Sequence, residues 1–523
     1  MPLPDGTPVL TSPADLARSW ALTFQSEAET LRLADDIAGI VRPGDIVALS
    51  GDLGAGKSTF ARALIRRLAD DPTLEAPSPT FTLMQAYDTP RGRVLHADLY
   101  RLKGSGELVE LGLAEALEDA IGLIEWPDRG GDMLEPASRL DIVFELEPDA
   151  GDETRRVTLI PGPAWADRLG LTLGARRLID AAGWGDAARL HMLGDASTRA
   201  YERLRRPDGE TAVLMISPPR ADGPPVRGGR PYSAIARLAE RVDAFVAIDK
   251  GLRALDLSAP EIIASDLVNG LLLIEDLGSG TVLDESGPVP ERYEVAIEAL
   301  SILHARPLPT ILPVAENREH LVPDYDLDAL TIETELLLDW YAPHIAGVTL
   351  PAVARAEFAR AWSPLFDILA EGPRTWVLRD FHSPNLIWLP GRTGVARIGI
   401  IDFQDAVIGH PAYDVVSLGQ DARVDVPPEL ELKLLSRYAA LRRAQDPGFD
   451  LGSFATAYAI MGAQRNTKIL GIFARLDKRD GKPAYLRHLP RIEAYLRRDL
   501  QHPALAGLKG WYETHLPRLF AGA

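Results

Sequence analysis

The chain has 523 residues, too many for one hydrophobic core, with ordinary shares of apolar (46%) and charged (25%) residues and a net charge of −19. Cysteine is absent, which excludes disulfides, thiolate metal sites and cysteine nucleophiles, and the acidity excludes a broad basic face for nucleic acid. No apolar run reaches the length of a membrane-spanning helix, and Met1–Pro13 lacks the pattern of a secretory signal, so a cytoplasmic protein is expected.

In chain order, Ile46–Leu49 reads as a strand, and Ala61, Leu64, Ile65 and Leu68 follow at helical spacing. Val94–Ala97 and Ile121–Ile124 are short apolar runs, each followed by an acid, and Arg155–Ile160 reads as a last strand. This is the βαβ rhythm of a parallel sheet. Pro161-Gly162-Pro163 breaks the chain, and a domain boundary is expected near 165–175. The next stretch, 173–280, reads as strand-rich, with Ala212–Ile216 and Leu271–Glu275 as strands and a loop rich in Pro, Gly and Arg at Ser217–Arg230. From Pro290 the pattern is mostly helical, interrupted by strand-like runs at Trp376–Leu378 and Ile398–Ile401. A small strand-rich lobe followed by a larger helical lobe has the shape of a kinase.

Residues 51–58 read Gly-Asp-Leu-Gly-Ala-Gly-Lys-Ser, a complete P-loop between a strand and an amphipathic helix. Its glycines let successive backbone N–H groups face phosphate oxygens, Lys57 adds a cation at the β/γ-phosphates, and Ser58 places a hydroxyl on Mg²⁺. The nucleotide site is expected to draw on Gly51, Gly54, Ala55, Gly56, Lys57, Ser58 and Thr59. Asp98 and Glu125, each closing an apolar run, are candidates to hold Mg²⁺ or orient water. Ser78-Pro79-Thr80-Phe81 offers hydroxyls in a stiff turn. With His-Ala-Asp-Leu-Tyr-Arg-Leu and Ile-Glu-Trp-Pro-Asp-Arg, residues 15–165 resemble TsaE, the ATPase of bacterial tRNA threonylcarbamoyladenosine synthesis. The resemblance implies ATP hydrolysis and partners of the TsaD and TsaB type. It implies Lys57 and Ser58 as phosphate and Mg²⁺ ligands, Asp98 and Glu125 as the functional acids, Thr80 in a switch-like loop, and Trp126 at the nucleotide or an interface.

A second constellation lies downstream. Arg-Asp-Phe-His-Ser-Pro-Asn (379–385) and Ile-Asp-Phe-Gln-Asp (401–405) each follow a strand-like run. This is the kinase pairing, in which Asp380 accepts the proton of a substrate hydroxyl while Asn385 and Asp402 hold Mg²⁺ on the triphosphate. Upstream, Gly194–Arg199, with Ser197 and Arg199, is a candidate phosphate-covering hairpin, and Glu275 lies in a candidate hinge. Residues 180–520 resemble the aminoglycoside phosphotransferase superfamily, and most of all its kinases for the anomeric hydroxyl of N-acetylmuramate and N-acetylglucosamine. One departure is Met215, where such kinases carry a strand lysine; no lysine lies between 104 and 249, so Arg199 or an arginine of the 220–230 loop would have to serve. A non-catalytic nucleotide-binding scaffold and an aminoglycoside phosphotransferase stand as alternatives for this half. Gln404, Asp405, Asp421, Arg423 and Arg465 are weaker candidates for sugar contacts, and His410 and Asp414 are expected to fix the loop after Asp402.

The expected architecture is an α/β P-loop NTPase domain over 1–168, followed by an α+β protein-kinase-like, bilobal domain over 174–523 with lobes at about 174–280 and 281–523. ATP and Mg²⁺ are the expected cofactors of both.

Overall fold

A computed structural model describes residues 19–102, 112–129, 138–147, 149, 151, 153–192, 199–219 and 223–520. It contains two compact units, one of Met1–Pro218 with Ala264–Leu273, the other of Pro219–Ile263 with Ile274–Ala523.

In the first unit, β1 (Trp20–Phe24) and α1 (Glu27–Ile40) precede β2 (Ile46–Gly51), whose end turns into α2 (Lys57–Ala69). There follow β3 (Met84–Thr89), β4 (Gly92–Asp98), β5 (Ala120–Glu125), β6 (Arg139–Leu146) and β7 (Arg155–Pro161). The sheet order is β1-β7-β6-β2-β5-β4-β3. Strands β6, β2, β5 and β4 run parallel, and the outer strands pair antiparallel. Parallel strands covered on both faces should read as unbroken apolar runs, and β2 and β5 do: Val47, Ala48, Leu49, Ile121, Leu123 and Ile124 are fully buried. The carboxyl ends of the parallel strands form one edge, the usual place for a ligand in such sheets.

Helix α3 (Ala166–Ala181) begins just after Pro161-Gly162-Pro163. The expected boundary near 165–175 therefore falls inside a helix, and Leu173 lies mid-helix rather than at the start of a strand-rich stretch. Its first half buries Leu169 and Leu173 in the core of the seven-stranded sheet. Its second half buries Ala175 and Ile179 against a second core with Leu204, Leu214 and Leu271. That core lies on a five-stranded sheet of β8 (Ala188–Met192), β9 (Ala200–Arg205), β10 (Thr211–Ile216), β11 (Ile262–Asp266) and β12 (Leu271–Glu275), ordered β11-β12-β10-β9-β8.

The second unit is mainly helical. Its longest helix, α6 (Leu451–Asp480), is buried along most of its length. The elements that matter for chemistry are short: β13 (Thr375–Val377) pairs with β16 (Val407–Gly409), and β14 (Leu386–Trp388) pairs with β15 (Ile398–Ile400). Helix α4 (Val242–Arg253) and helix α5 (Ala412–Gly419) also belong to this unit.

Candidate active sites

At the first site, the turn from β2 into α2 is built for a backbone cradle. Gly51, Gly54 and Gly56 have φ of 132°, 82° and 117°, conformations that side chains disfavour. Lys57 is buried, and its Nζ donates to the carbonyls of Gly51 (2.7 Å) and Asp52 (2.9 Å), so the lysine curls back over its own loop. Nζ also lies 4.2 Å from the centre of the Trp126 ring. Burial pushes the Lys57 ammonium below its ordinary pKa, and Glu125, Asp98 and Asp52 counter that shift.

The strand register explains where the acids stand. Leu49 of β2 is level with Glu125 of β5, and Glu125 is level with Asp98 of β4. The two acids therefore end neighbouring parallel strands beside the loop. Ser58 Oγ donates to Glu125 Oε2 (3.0 Å). Asp98 Oδ2 accepts from Ser78 Oγ (2.9 Å) and Thr80 Oγ1 (2.8 Å), and its Oδ1 accepts from the Tyr100 N–H (3.1 Å). The Ser-Pro-Thr turn is thus tied to the acid at the end of β4. Tyr100 packs on Trp126 with ring centres 5.1 Å apart, and Trp126 holds a left-handed φ of 59°. Gly54, Gly56, Lys57, Ser58, Thr59, Thr80, Asp98, Glu125 and Trp126 share one cavity of about 310 Å³, while Gly51 and Ala55 lie in the loop behind it.

Two residues without an assigned role in the sequence reading stand here. Arg155 opens β7, lines the same cavity and donates from Nε to the Ala55 carbonyl (3.1 Å). His96 lies buried in β4 and contacts Glu125. Nothing local marks Arg155, which meets the loop from 100 residues downstream. His96 carried a signal, a polar residue inside an apolar run.

At the second site, the candidate catalytic loop hangs on buried groups. Asp414, in α5, accepts from the backbone N–H of Leu378 (2.7 Å) and of Arg379 (2.9 Å). It therefore fixes the strand end before Asp380, not the loop after Asp402 as expected. Arg379 holds a φ of 69° and reaches the Ala236 carbonyl (2.9 Å) and the carboxylate of Glu333. Burial would raise the Glu333 carboxyl, but Lys468 and Arg379 hold it below the usual range. Asn385 donates from Nδ2 to the Asp380 carbonyl (2.9 Å), which leaves its Oδ1 as the metal-facing type of atom. Asp402 also holds a left-handed φ (58°), and its Oδ1 accepts from Gln404 Nε2 (2.9 Å). His382 Nε2 stands 3.9 Å from Asp380 Oδ1, and burial pushes this imidazole below its ordinary pKa.

The weaker sugar candidates scatter. Asp421 is fully buried and accepts from Ser383 N (2.9 Å) and Oγ (2.6 Å), and Asp405 accepts from the Ala239 N–H (2.6 Å). Each carboxylate holds a backbone N–H group. Arg465 donates to the Gln420 carbonyl (3.1 Å), and Arg423 stands 5.7 Å from the Tyr485 ring centre. His410 is buried and pushed down to about 4. Glu275 accepts from Arg392 and from the Glu261 N–H (3.2 Å). Of the loop arginines, Arg227 pairs with Glu335 and Arg230 with Asp328. Met215 is buried in β10, level with Tyr201. Arg199 immediately precedes β9, and Ser197 lies outside the described residues.

Residues 24–157 match the family described as threonylcarbamoyl adenosine biosynthesis protein TsaE, and residues 192–451 match the phosphotransferase enzyme family. An N-acetylmuramate/N-acetylglucosamine kinase of Caulobacter vibrioides is 40% identical over 351 residues, which is 65% of this chain and 95% of that protein. Its counterpart in Pseudomonas aeruginosa is 34% identical over 63% of this chain and 90% of its own. The TsaE protein of Rickettsia felis is 40% identical over 139 residues, 27% of this chain and 78% of its own. The chain belongs to both families. It is a fusion of a TsaE-type ATPase domain with a phosphotransferase-family kinase domain closely related to the N-acetylmuramate/N-acetylglucosamine kinases.

Membership in these families implies use of ATP and Mg²⁺. Among the described residues no group of three or more His, Cys, Asp or Glu is arranged to hold a metal. Magnesium does not need one, since it takes one or two protein oxygens and completes its shell with phosphate and water. The hydroxyl and carboxylates at the TsaE-type site and the amide and carboxylate at the kinase site are donors of the right hardness. No helix among the described residues is long and apolar enough to cross a membrane.

Proposed function

We propose that the chain is a bifunctional enzyme with two ATP-dependent activities. The TsaE-type domain hydrolyses ATP in support of tRNA threonylcarbamoyladenosine modification, working with TsaD- and TsaB-type subunits. The kinase domain phosphorylates the anomeric hydroxyl of N-acetylmuramate or N-acetylglucosamine in cell-wall recycling. Both reactions draw on ATP, which supports a cytoplasmic protein. The observation that carries this reading is that each half has phosphate-handling groups of its own: Lys57, Ser58, Asp98 and Glu125 in one, Asp380, Asn385 and Asp402 in the other.

In the TsaE-type site, the Gly51–Thr59 loop binds the phosphates, Ser58 and Glu125 hold the magnesium, and Asp98 and Glu125 act on the attacking water. Trp126 closes the cavity over Lys57. In the kinase site, Asn385 and Asp402 hold the magnesium, and Ser197, Arg199 and Glu275 belong to the nucleotide side. Bound MgATP supplies the terminal phosphoryl group. Asp380 takes the proton of the sugar hydroxyl as that oxygen bonds to the terminal phosphorus and the bond to ADP breaks.

Met215 favours a second reading, in which the kinase domain only binds nucleotide. The experiment is incubation of the purified chain with ATP and N-acetylmuramate, N-acetylglucosamine or an aminoglycoside, with products read by phosphorus NMR. Phosphate on an anomeric carbon supports the proposal. Phosphorylation of an aminoglycoside alone, or of nothing, contradicts it.

A further inference from the structure

The geometry points to His96 as a positioning residue of the TsaE-type site, an inference that rests on the ATPase reading of that site. His96 and Asp98 are two apart in β4 and so share a sheet face. His96 is level with Leu123, which makes Glu125 its diagonal neighbour on β5, within reach of a ring. Nε2 of His96 lies 3.0 Å from Glu125 Oε1, and both side chains are almost completely buried. The other carboxylate oxygen, Oε2, accepts from Ser58 Oγ. Glu125 is therefore gripped at both oxygens by different side chains.

The two grips differ in kind. Ser58 is the residue expected to turn its hydroxyl oxygen toward magnesium, so its grip on Glu125 is shared with the metal, whereas that of His96 is not. The His96 contact is on the other oxygen, Oε1, clear of the Ser58 contact. Next to a carboxylate, Nε2 is the nitrogen that donates, and in the neutral ring Nδ1 then carries no proton. Nδ1 is buried and has no hydrogen-bond partner among the described residues, which fits a ring whose one polar task is to hold Glu125. Without that hold, the carboxylate gains rotamers in which Oε2 no longer faces Ser58. Supports of this kind behind a metal-facing group are worth about 10–100-fold in affinity or activity.

The test uses the full chain with His96→Ala and His96→Gln, glutamine being able to donate from a position near that of Nε2. We expect His96→Ala to lower kcat for ATP hydrolysis about 10–100-fold with KM for ATP little changed. The magnesium concentration needed for half-maximal ADP binding, read by calorimetry, should rise by a similar order, and His96→Gln should recover part of both. Nitrogen-15 NMR of the unaltered chain should place the His96 proton on Nε2. Unchanged kcat and magnesium dependence in both variants, or a proton on Nδ1, overturns the inference. Should His96→Ala fail to fold, the glutamine variant and the tautomer decide. If ATP hydrolysis by the unaltered chain without sugar is the same as that of Lys57→Ala, the ATPase reading itself fails instead.

Discussion

Gly51 occupies a place where no side chain fits. A Cβ there would stand 2.2 Å from the Phe144 carbonyl oxygen, and φ is 132°. Gly54 has a φ of 82° but open space around its Cα. Gly51→Ala should therefore destabilise the chain by about 3 kcal/mol or more, and Gly54→Ala by about 1–2 kcal/mol, the cost of strained backbone alone. Denaturant titration of the two variants checks the order. Asp380 is the base of the proposed kinase reaction. Removing a general base costs about 10²–10⁴-fold in rate, so Asp380→Asn should cut sugar-dependent turnover by that order while nucleotide binding persists. Turnover and calorimetric binding on the same preparation separate the two effects.

The catalytic loop shows how an element is held by one distant side chain. Asp414→Ala would strip the partners from two buried N–H groups, at Leu378 and Arg379. An unpaired buried donor costs about 1–3 kcal/mol, so a loss of about 2–6 kcal/mol is expected, together with reduced kinase turnover. Thermal melting and turnover check both. Much of this region was legible in the sequence. The P-loop and the strands ending at Asp98 and Glu125 announce themselves, because short apolar runs closed by an acid or glycine are local patterns. Asp380, Asn385 and Asp402 stand out as candidates for the same reason. What stayed hidden depends on pairs far apart in the chain. Asp421 reads as a free polar residue until Ser383 is found against it, and Asp414 reads as a neighbour of Asp402 until it is seen on Leu378. Helix α3 was hidden differently: Pro-Gly-Pro looks like a linker, yet it is only the turn before a helix whose two halves are buried in two cores.

Within the first unit, charge as well as α3 joins the parts. Asp36 of α1 accepts from Arg176 Nε (3.0 Å) and Nη2 (2.7 Å) and from Arg189 Nη1 (2.7 Å), and Arg189 also reaches Glu202 (2.6 Å). Arg67 at the end of α2 donates to the Arg189 carbonyl (2.8 Å). The seven-stranded sheet and β8 are thereby tied within one compact unit. A fragment ending at residue 168 severs α3 and uncovers the site of Leu169 and Leu173, so it should melt well below a fragment ending at 182. Calorimetry of the two fragments tests this. In the second unit, Asp499 is buried and its carboxyl is pushed up to about 8, chiefly by burial, while Gln420 and Asn466 donate to it. An unfolded aspartate titrates near about 3.9, so the folded form binds the extra proton between those values. Its contribution is full below about pH 4 and is lost as pH rises toward 8. The melting temperature should fall from pH 5 to 8, and Asp499→Asn should flatten that fall.

The central claim is that two active sites work in one chain. Sugar-dependent ADP release from the full chain, compared with Lys57→Ala and Asp380→Asn, tests it most directly. Release should survive Lys57→Ala and disappear with Asp380→Asn. Release that persists with Asp380→Asn, or that Lys57→Ala abolishes in folded protein, would contradict it.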